Sequence, residues 1–339
     1  MNLPRQRTSL ESALMDDITI HPGVSIFKAT IHSKGVPVTL DAVRVNGQTF
    51  LIKGNHLKTA ELKEMWAEDV ANPAEVIHQL RNIPAKPDMF RFWQRIPETK
   101  PKYSYYWEWI DVAAIPVTTH KHWFERQISR SARNKIRKAL KHGVEFHEEP
   151  VSDRLIRGIT ALYNDSPLRR GKPFWHYGKD FEMVKKQVSE DVDVCRFVTA
   201  YWEGELIGFI KLLVFDRCAR TAGILDKLSC REKSPMNGMI SKAVEICATD
   251  NIPYLVYSTW RRRDHRQFQA SNGFIRTPLP EYFVPLTAKG SIALALKLHR
   301  GLKGWIPEGM MIRLLQLRAI WYARKFRTKA FRGMHERGR

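Results

Sequence analysis

Between Arg196 and Leu286 the residues read as strand, strand, strand, helix, strand, helix, strand, and no other feature restricts the fold as tightly. Arg196–Trp202, Leu206–Phe215 and Thr221–Ser229 read as three successive strands. The turns joining them, Glu203-Gly204 and Asp216 to Ala219, are too short for a crossover and predict an antiparallel meander. Asn237 to Thr249 carries Met239, Ile240, Ala243, Val244, Ile246 and Cys247 at helical spacing. Tyr254–Thr259 is a short strand of buried type. Asp264–Ser271 is a turn or two of helix stopped by Asn272-Gly273, and Tyr282–Leu286 is a last strand. Strands in succession, with helices inserted late, place this region in the α+β class.

The chain has 339 residues, enough for two cores. Val36–Val45 and Thr49–Lys53 flank Asn46-Gly47, a strong hairpin signal. Thr59 to Arg81 reads as helix interrupted near Asn72-Pro73, with Leu62, Met65, Trp66 and Val70 at helical spacing. Met89–Arg95 and Tyr105–Pro116 return to strand. The clearest helix runs from His120 to His142. Its apolar stripe is Phe124, Ile128, Ala132, Ile136, Ala139 and Leu140, and Gly143 stops it. Arg126, Arg130, Arg133, Lys135, Arg137, Lys138 and Lys141 crowd the remainder. Val144–His147 is a strand and Asp153–Asn164 a helix. The expected organisation is a small α+β unit over 1–118, a second unit over 119–288 and a basic helical extension over 289–339.

Lys and Arg number 56 against 35 Asp and Glu, a formal charge of +21. Such a surplus predicts a polyanionic neighbour: nucleic acid, anionic lipid or a phosphate-rich substrate. Residues 289–339 hold 13 Lys or Arg against 2 acids. Within them Glu308 to Phe331 predicts a helix with Ile312, Leu315, Ala319, Tyr322, Ala323 and Phe326 on one face and basic residues around it. That helix suits the surface of an anionic membrane, or docking on the protein's own core. Cys195, Cys218, Cys230 and Cys247 form no C-x-x-C pair and have no histidine at ligand spacing, so no zinc site is expected. The start of the chain turns acidic where a signal peptide needs an apolar run, and no stretch of about 18 apolar residues exists. A cytoplasmic protein, with peripheral contact on the inner face of the membrane, is the expectation.

Three motifs occur in an order that resembles the GNAT (N-acetyltransferase) superfamily: EGELIGFIKLL (Glu203–Leu213), REKSPMNGMI (Arg231–Ile240) and FQASNGF (Phe268–Phe274). The stretch RSARNKIRKALKHGVEF (Arg130–Phe146) is similar to the basic helix of the Fem-type subgroup. Members of that subgroup carry two GNAT-like units in tandem and join amino acids to peptidoglycan precursors from aminoacyl-tRNA. The resemblance implies a tandem GNAT-like fold of mixed, mostly antiparallel sheets flanked by helices. It implies an acyltransferase acting on an amino or hydroxyl group of a cell-envelope glycan or lipid-linked precursor, without a metal. The donor is acetyl-CoA or another acyl-CoA, or aminoacyl-tRNA, and tRNA then becomes a partner. A third reading is a non-catalytic protein that kept the fold and binds nucleic acid or membrane.

The implied donor-binding residues are Leu228, Arg231, Lys233, Ser234, Asn237 and Gly238. A phosphate loop needs glycines, so that backbone N–H groups can approach a pyrophosphate at a helix N-terminus. Here Ser234 and Met236 stand at the glycine positions and Pro235 removes a donor. Gln269 stands where the family places its proton-donating Tyr. The catalytic candidates are therefore drawn from the surroundings. Asp226, in the apolar run ILDKL, is a base or the partner of Lys211. His176 is the histidine best suited to titrate near pH 7. Tyr254 can replace the missing Tyr. Arg169, Trp175 and Tyr177 belong to an aromatic loop, Asp165 to Asp180, that reads as a lid, a binding loop or a core plug. With Trp260 and with His265, which follows Arg261-Arg262-Arg263, they are the substrate-binding candidates.

Overall fold

A computed structural model describes residues 18–21, 23–33, 36–169, 171–189, 194–260 and 264–300, with Arg313, 316–318 and 320–322. In chain order the elements begin with β1 (Ile18–His21), β2 (Val24–Ser33), β3 (Val36–Val45), β4 (Gln48–Lys53) and β5 (Thr59–Leu62). α1 (Pro73–Asn82), β6 (Met89–Trp93) and β7 (Trp107–Pro116) follow. Next come α2 (His120–His122), a π-helical turn (Trp123–Gln127), α3 (Arg130–Lys141), β8 (Glu145–Glu149) and α4 (Asp153–Asn164). A small hairpin, β9 (Leu168–Arg169) with β10 (Lys172–Pro173), precedes α5 (Phe181–Ser189). The meander is β11 (Cys195–Trp202), β12 (Glu205–Val214) and β13 (Ala219–Asp226). Then follow a 3₁₀ turn (Leu228–Lys233), α6 (Pro235–Thr249), β14 (Tyr254–Thr259), α7 (Asp264–Ser271), β15 (Ile275–Pro285) and α8 (Ala288–Ala295).

Two compact units result, and both are discontinuous in sequence. One gathers residues 1–95, 100–108 and 280–303, the other 96–99, 109–279 and 304–339. The first unit is a sheet in the order β1-β2-β3-β4-β5-β6-β15, all antiparallel except β5 with β6. Asn46 (φ 48°) and Gly47 (φ 80°) make the expected hairpin turn between β3 and β4. Phe50, Phe90, Phe92 and Tyr282 pack with Val76 and Leu80 of α1 as its core. The long helix expected over Thr59 to Arg81 is corrected. Thr59–Leu62 joins the sheet, with Leu62 opposite Phe50 and Thr59 opposite Met89, so pairing overrides the local period. The helix starts only at Pro73, where Asn72 accepts a hydrogen bond from the Glu75 N–H.

The second unit is a sheet in the order β7-β14-β13-β12-β11-β8. β11, β12 and β13 form the expected antiparallel meander. One face is covered by α3 and α6 through Ile136, Met239, Ile240 and Val244. The other is covered by α4 and α5 through Leu155, Ile159 and Val184 against Phe197 and Phe209. α5 has no counterpart among the elements expected from the sequence, and α8 falls at the start of the extension expected to be helical over 289–339. α6 lies close to β8, because a Cβ on Gly238 would fall 2.0 Å from the Phe146 ring.

The continuous helix expected from His120 to His142 is broken. Ile128 is extended (φ −91°, ψ 155°), and Ser129 restarts the chain as the N-cap of α3. Arg133 spans the break, donating from Nη1 to the carbonyls of Phe124, Glu125 and Ile128. One of the expected surface cations is therefore an internal staple. Leu140, expected in the apolar stripe, is 57% exposed. Most of the helix expected over Glu308 to Phe331 lies outside the described residues, and those described within it are helical.

Gly238→Ala is expected to destabilise the protein by about 1–3 kcal/mol through overpacking. Chemical denaturation checks this, and adding Phe146→Leu recovers part of the loss.

Candidate functional site

β13 and β14 run parallel and pair only as Ala219 with Leu255 and Arg220 with Val256. The Thr221 hydroxyl then donates to the Tyr257 carbonyl at 2.7 Å. Beyond that point each strand follows its other neighbour: β13 pairs with β12 as far as Asp226–Gly208, and β14 with β7 as far as Thr259–Val112. A fork opens between them. A bulge lies on its wall, because Lys211 faces Gly223 while Leu212 faces Thr221, leaving Ala222 outside the ladder. Backbone polar groups freed from a ladder must find other partners, and an acyl carbonyl is one that a strand N–H can polarise.

At the open end of β13 stands Asp226, only 6% exposed. Its carboxylate accepts from Arg231 Nε at 3.2 Å and lies 3.9 Å from Arg169 Nη1. Lys211 is not its partner. Lys211 pairs opposite Gly223 and Asp226 opposite Gly208, three positions along β12, so the two side chains leave opposite faces of the sheet. Arg169 is the hub. It donates to the Asp226 carbonyl at 2.7 Å and to the Asp165 carboxylate at 3.1 Å, and lies over the Phe174 ring at 5.1 Å. Asp165 in turn accepts from the Leu228 N–H at 3.1 Å. Asp165, Arg169, Asp226, Leu228 and Arg231 thus meet, and the aromatic loop is locked to the end of β13.

His176 lies inside that loop, with ring centroids 3.9 Å from Tyr163 and 3.4 Å from Trp175. The expectation that it titrates near pH 7 is corrected. Burial, helped by the Lys179 ammonium, pushes its pKa down to about 3. Trp175 and Tyr177 are 46% and 48% exposed on the same loop, and the Lys179 ammonium stands 4.6 Å over the Trp175 ring. Tyr254 sits at the closed end of the fork, one residue before the first pair. Trp260 packs on the core of the second unit, and its N–H donates to the Asp111 carbonyl at 2.8 Å. The side chain of His265 and the arginine run before it lie outside the described residues.

The turn ahead of α6 does not fit a coenzyme A pyrophosphate. Ser234 occupies the left-handed region (φ 60°), and the Asn237 N–H turns back on the Ser234 carbonyl at 3.2 Å. The Asn237 side chain points inward to Asn272 at 2.9 Å. Lys233 stands 3.8 Å over the Trp202 ring, and Arg231 is engaged by Asp226. Gly238 faces Phe146 rather than open space. The groups that would have met phosphates hold the fold instead. Gln269 is fully buried and donates to the Thr259 carbonyl at 3.4 Å. Asn272 also accepts through its carbonyl from the Trp123 indole at 3.1 Å. The FQASNGF stretch thereby clamps α6, α7 and the π-helical turn, a role that its sequence did not signal. Among the described residues no group of three or more His, Cys, Asp or Glu is arranged to hold a metal ion, and no helix is long and apolar enough to cross a membrane.

The order and pairing of the strands, the fork and the α6 position define a tandem GNAT-like fold. The C-terminal domain (DUF2156) of a putative lysylphosphatidylglycerol synthetase from Agrobacterium fabrum matches with a TM-score of 0.51 and 11% identity, over 80% of this chain and 86% of that one. L-PGS from Bacillus licheniformis matches with a TM-score of 0.51 and 11% identity, over 74% and 85%. FemX is also similar, with a TM-score of 0.49 and 9% identity over 76% and 88%. No protein-family profile and no curated protein sequence matches the chain.

Arg169→Gln leaves Asp226 and Asp165 without their common partner. It is expected to destabilise by about 3–5 kcal/mol, as breaking a buried ion pair does. Denaturation checks the magnitude, and faster hydrogen exchange across 165–180 checks the place. The His176 pKa lies below its unfolded value, so the unfolded chain binds the extra proton between about pH 6.5 and pH 3. Stability then falls as pH falls through that window. His176→Gln is expected to flatten this part of the curve of stability against pH, and the His176 ring resonances of the wild type are expected to show no titration between pH 5 and 8.

Proposed function

We propose that the second unit is an acyltransferase that takes an aminoacyl group from charged RNA and passes it to an amino or hydroxyl group of a cell-envelope molecule at the inner face of the membrane. The observation that carries this reading is the turn ahead of α6, whose side chains are committed to Trp202, Asp226 and Asn272. A donor whose phosphates bind elsewhere is compatible with that turn. The basic surface of α3 offers such a place. In the reaction the acceptor lone pair attacks the acyl carbon, the ester C–O bond breaks, and the released ribose hydroxyl takes up the proton lost by the acceptor. The fork between β13 and β14 supports placing the acyl group there, with strand N–H groups polarising its carbonyl. Two arginines hold the Asp226 carboxylate, and burial makes the His176 imidazole too weak a base to take the acceptor's proton, so neither is assigned as the base. The Agrobacterium fabrum neighbour is named for lysylphosphatidylglycerol, an aminoacyl ester of a lipid, which supports a hydroxyl-bearing envelope acceptor.

An acetyl-CoA or acyl-CoA donor is the second reading, favoured by the fork alone. Purified full-length protein is incubated in parallel with labelled aminoacyl-tRNA and labelled acetyl-CoA, each with an envelope lipid and glycan extract. Aminoacyl label is expected to move to the extract, with no saturable binding of acetyl-CoA at millimolar concentration. Saturable acetyl-CoA binding with acetyl transfer overturns the RNA donor. Failure of both donors overturns the catalytic reading and favours a protein that kept the fold without the chemistry.

A further inference from the structure

A cleft of about 510 Å³ opens between α2 with its π-helical turn, α3 and α6, and no residue of the Asp226 cluster lines it. A shallower trough of about 450 Å³ lies on α3, and Arg137 lines both. The two halves differ in chemistry. The cleft wall carries a row of planar groups. His120 and Phe124 lie with centroids 6.1 Å apart and planes 24° apart, and the Arg137 guanidinium stands 5.7 Å from the Phe124 ring. Beside the row, His120 Nε2 and Ser241 Oγ share a hydrogen bond of 2.9 Å. Burial pushes the His120 pKa down, and besides Arg137 the charged groups at this cleft, Lys121 and Lys242 with Glu125 and Glu245, are of both signs, so it lacks the one-sided charge of the trough. Glu245, also at the cleft, is paired with Lys242 at 2.9 Å.

The trough is cationic, lined by Arg137, Lys138 and Lys141 with Asn134 and His142, and no acid lines it. Among the described residues no carboxylate pairs with Arg137, Lys138 or Lys141, in contrast to Arg133 of the same helix, which is spent on the break before α3.

We propose that this double recess receives a single-stranded end of nucleic acid: one base extends the His120–Phe124–Arg137 row, and the adjoining phosphates lie in the Arg137–Lys138–Lys141 trough. A planar, uncharged base joined to anionic phosphates has the polarity of the recess, cleft to trough. Aromatic shelves beside cationic grooves are the recurrent means of holding single strands. An acyl chain fits less well, because it would cover the charged Lys121, Glu125 and Lys242 at the cleft without offering them a partner. The site rests on the charged-RNA reading above and gives that donor its anchoring point.

The test uses the full chain, a fluorescein-labelled single-stranded RNA tetranucleotide and anisotropy across a salt series. Lys138→Gln/Lys141→Gln removes exposed charge with little risk to folding. It is expected to weaken binding and to lower the slope of log K against log salt by about 1.4, that is about 0.7 for each lost phosphate contact. Phe124→Leu keeps the apolar bulk and is expected to weaken binding about tenfold with the slope unchanged, within the range for one stacked base. Thermal melting confirms that both variants are folded. Folded variants that bind as the wild type does overturn the site. Displacement of the tetranucleotide by millimolar coenzyme A overturns it in favour of a free nucleotide. Anionic phospholipid vesicles binding through Lys138 and Lys141, with no RNA bound, overturn it in favour of a membrane surface. Aminoacyl transfer without this pattern of binding sinks the site and leaves the donor reading standing. The pattern without transfer supports the site and sinks the donor reading.

Discussion

Everything at the candidate site depends on how few residues β13 and β14 share. Two parallel pairs and one hydroxyl contact hold the closed end of the fork. From there β13 stays paired with β12 and β14 with β7, while their facing edges share no further ladder pairs. A sheet normally satisfies its backbone groups from strand to strand. Here the facing edges of β13 and β14 stop pairing after Arg220 and Val256 while the outer ladders continue, so the gap lies between two otherwise well-ordered strands.

The open end of the fork is fixed by charge. Arg169 contacts Asp226, Asp165 and Phe174, and Asp165 reaches the Leu228 N–H. Such a buried network is worth little as net stability, because desolvation offsets most of the attraction. Its effect is positional. The aromatic loop, the end of β13 and the 3₁₀ turn before α6 cannot move independently while these hydrogen bonds hold. The same economy governs the other side of α6, where Asn237, Asn272 and Trp123 are joined by hydrogen bonds in the core. Residues that would ordinarily meet a cofactor's phosphates have become parts of the frame.

Much of the architecture was legible in advance where the signal is local. The Asn46-Gly47 turn, the meander of β11 to β13, the Asp153–Asn164 helix and the Tyr254–Thr259 strand follow from turn chemistry and period alone. Thr59–Leu62 has the apolar spacing of a helix, but pairing on both sides makes it a strand. The break at Ile128 is hidden from the sequence for a related reason. The apolar stripe continues through it, and only the Arg133 staple and the Ser129 cap show that the backbone does not. At the site, the sequence singled out Asp226, Arg169 and Arg231, which do meet. It could not say that they meet each other.

By itself, the sequence determined the order of strands and helices, the hairpin turn and the excess of positive charge, because periodicity, glycine conformation and composition act between near neighbours or sum over the chain. The tertiary structure alone decided that a fork opens beside β13, that Asp226 answers to arginines and not to Lys211, that His176 stays neutral and that Asn237 faces inward. Those outcomes turn on partners brought together by folding, such as Arg169 and Asp226 or Asn237 and Asn272, and on the solvent that their meeting removes. A side chain's charge and availability are set by that environment, which no local pattern records.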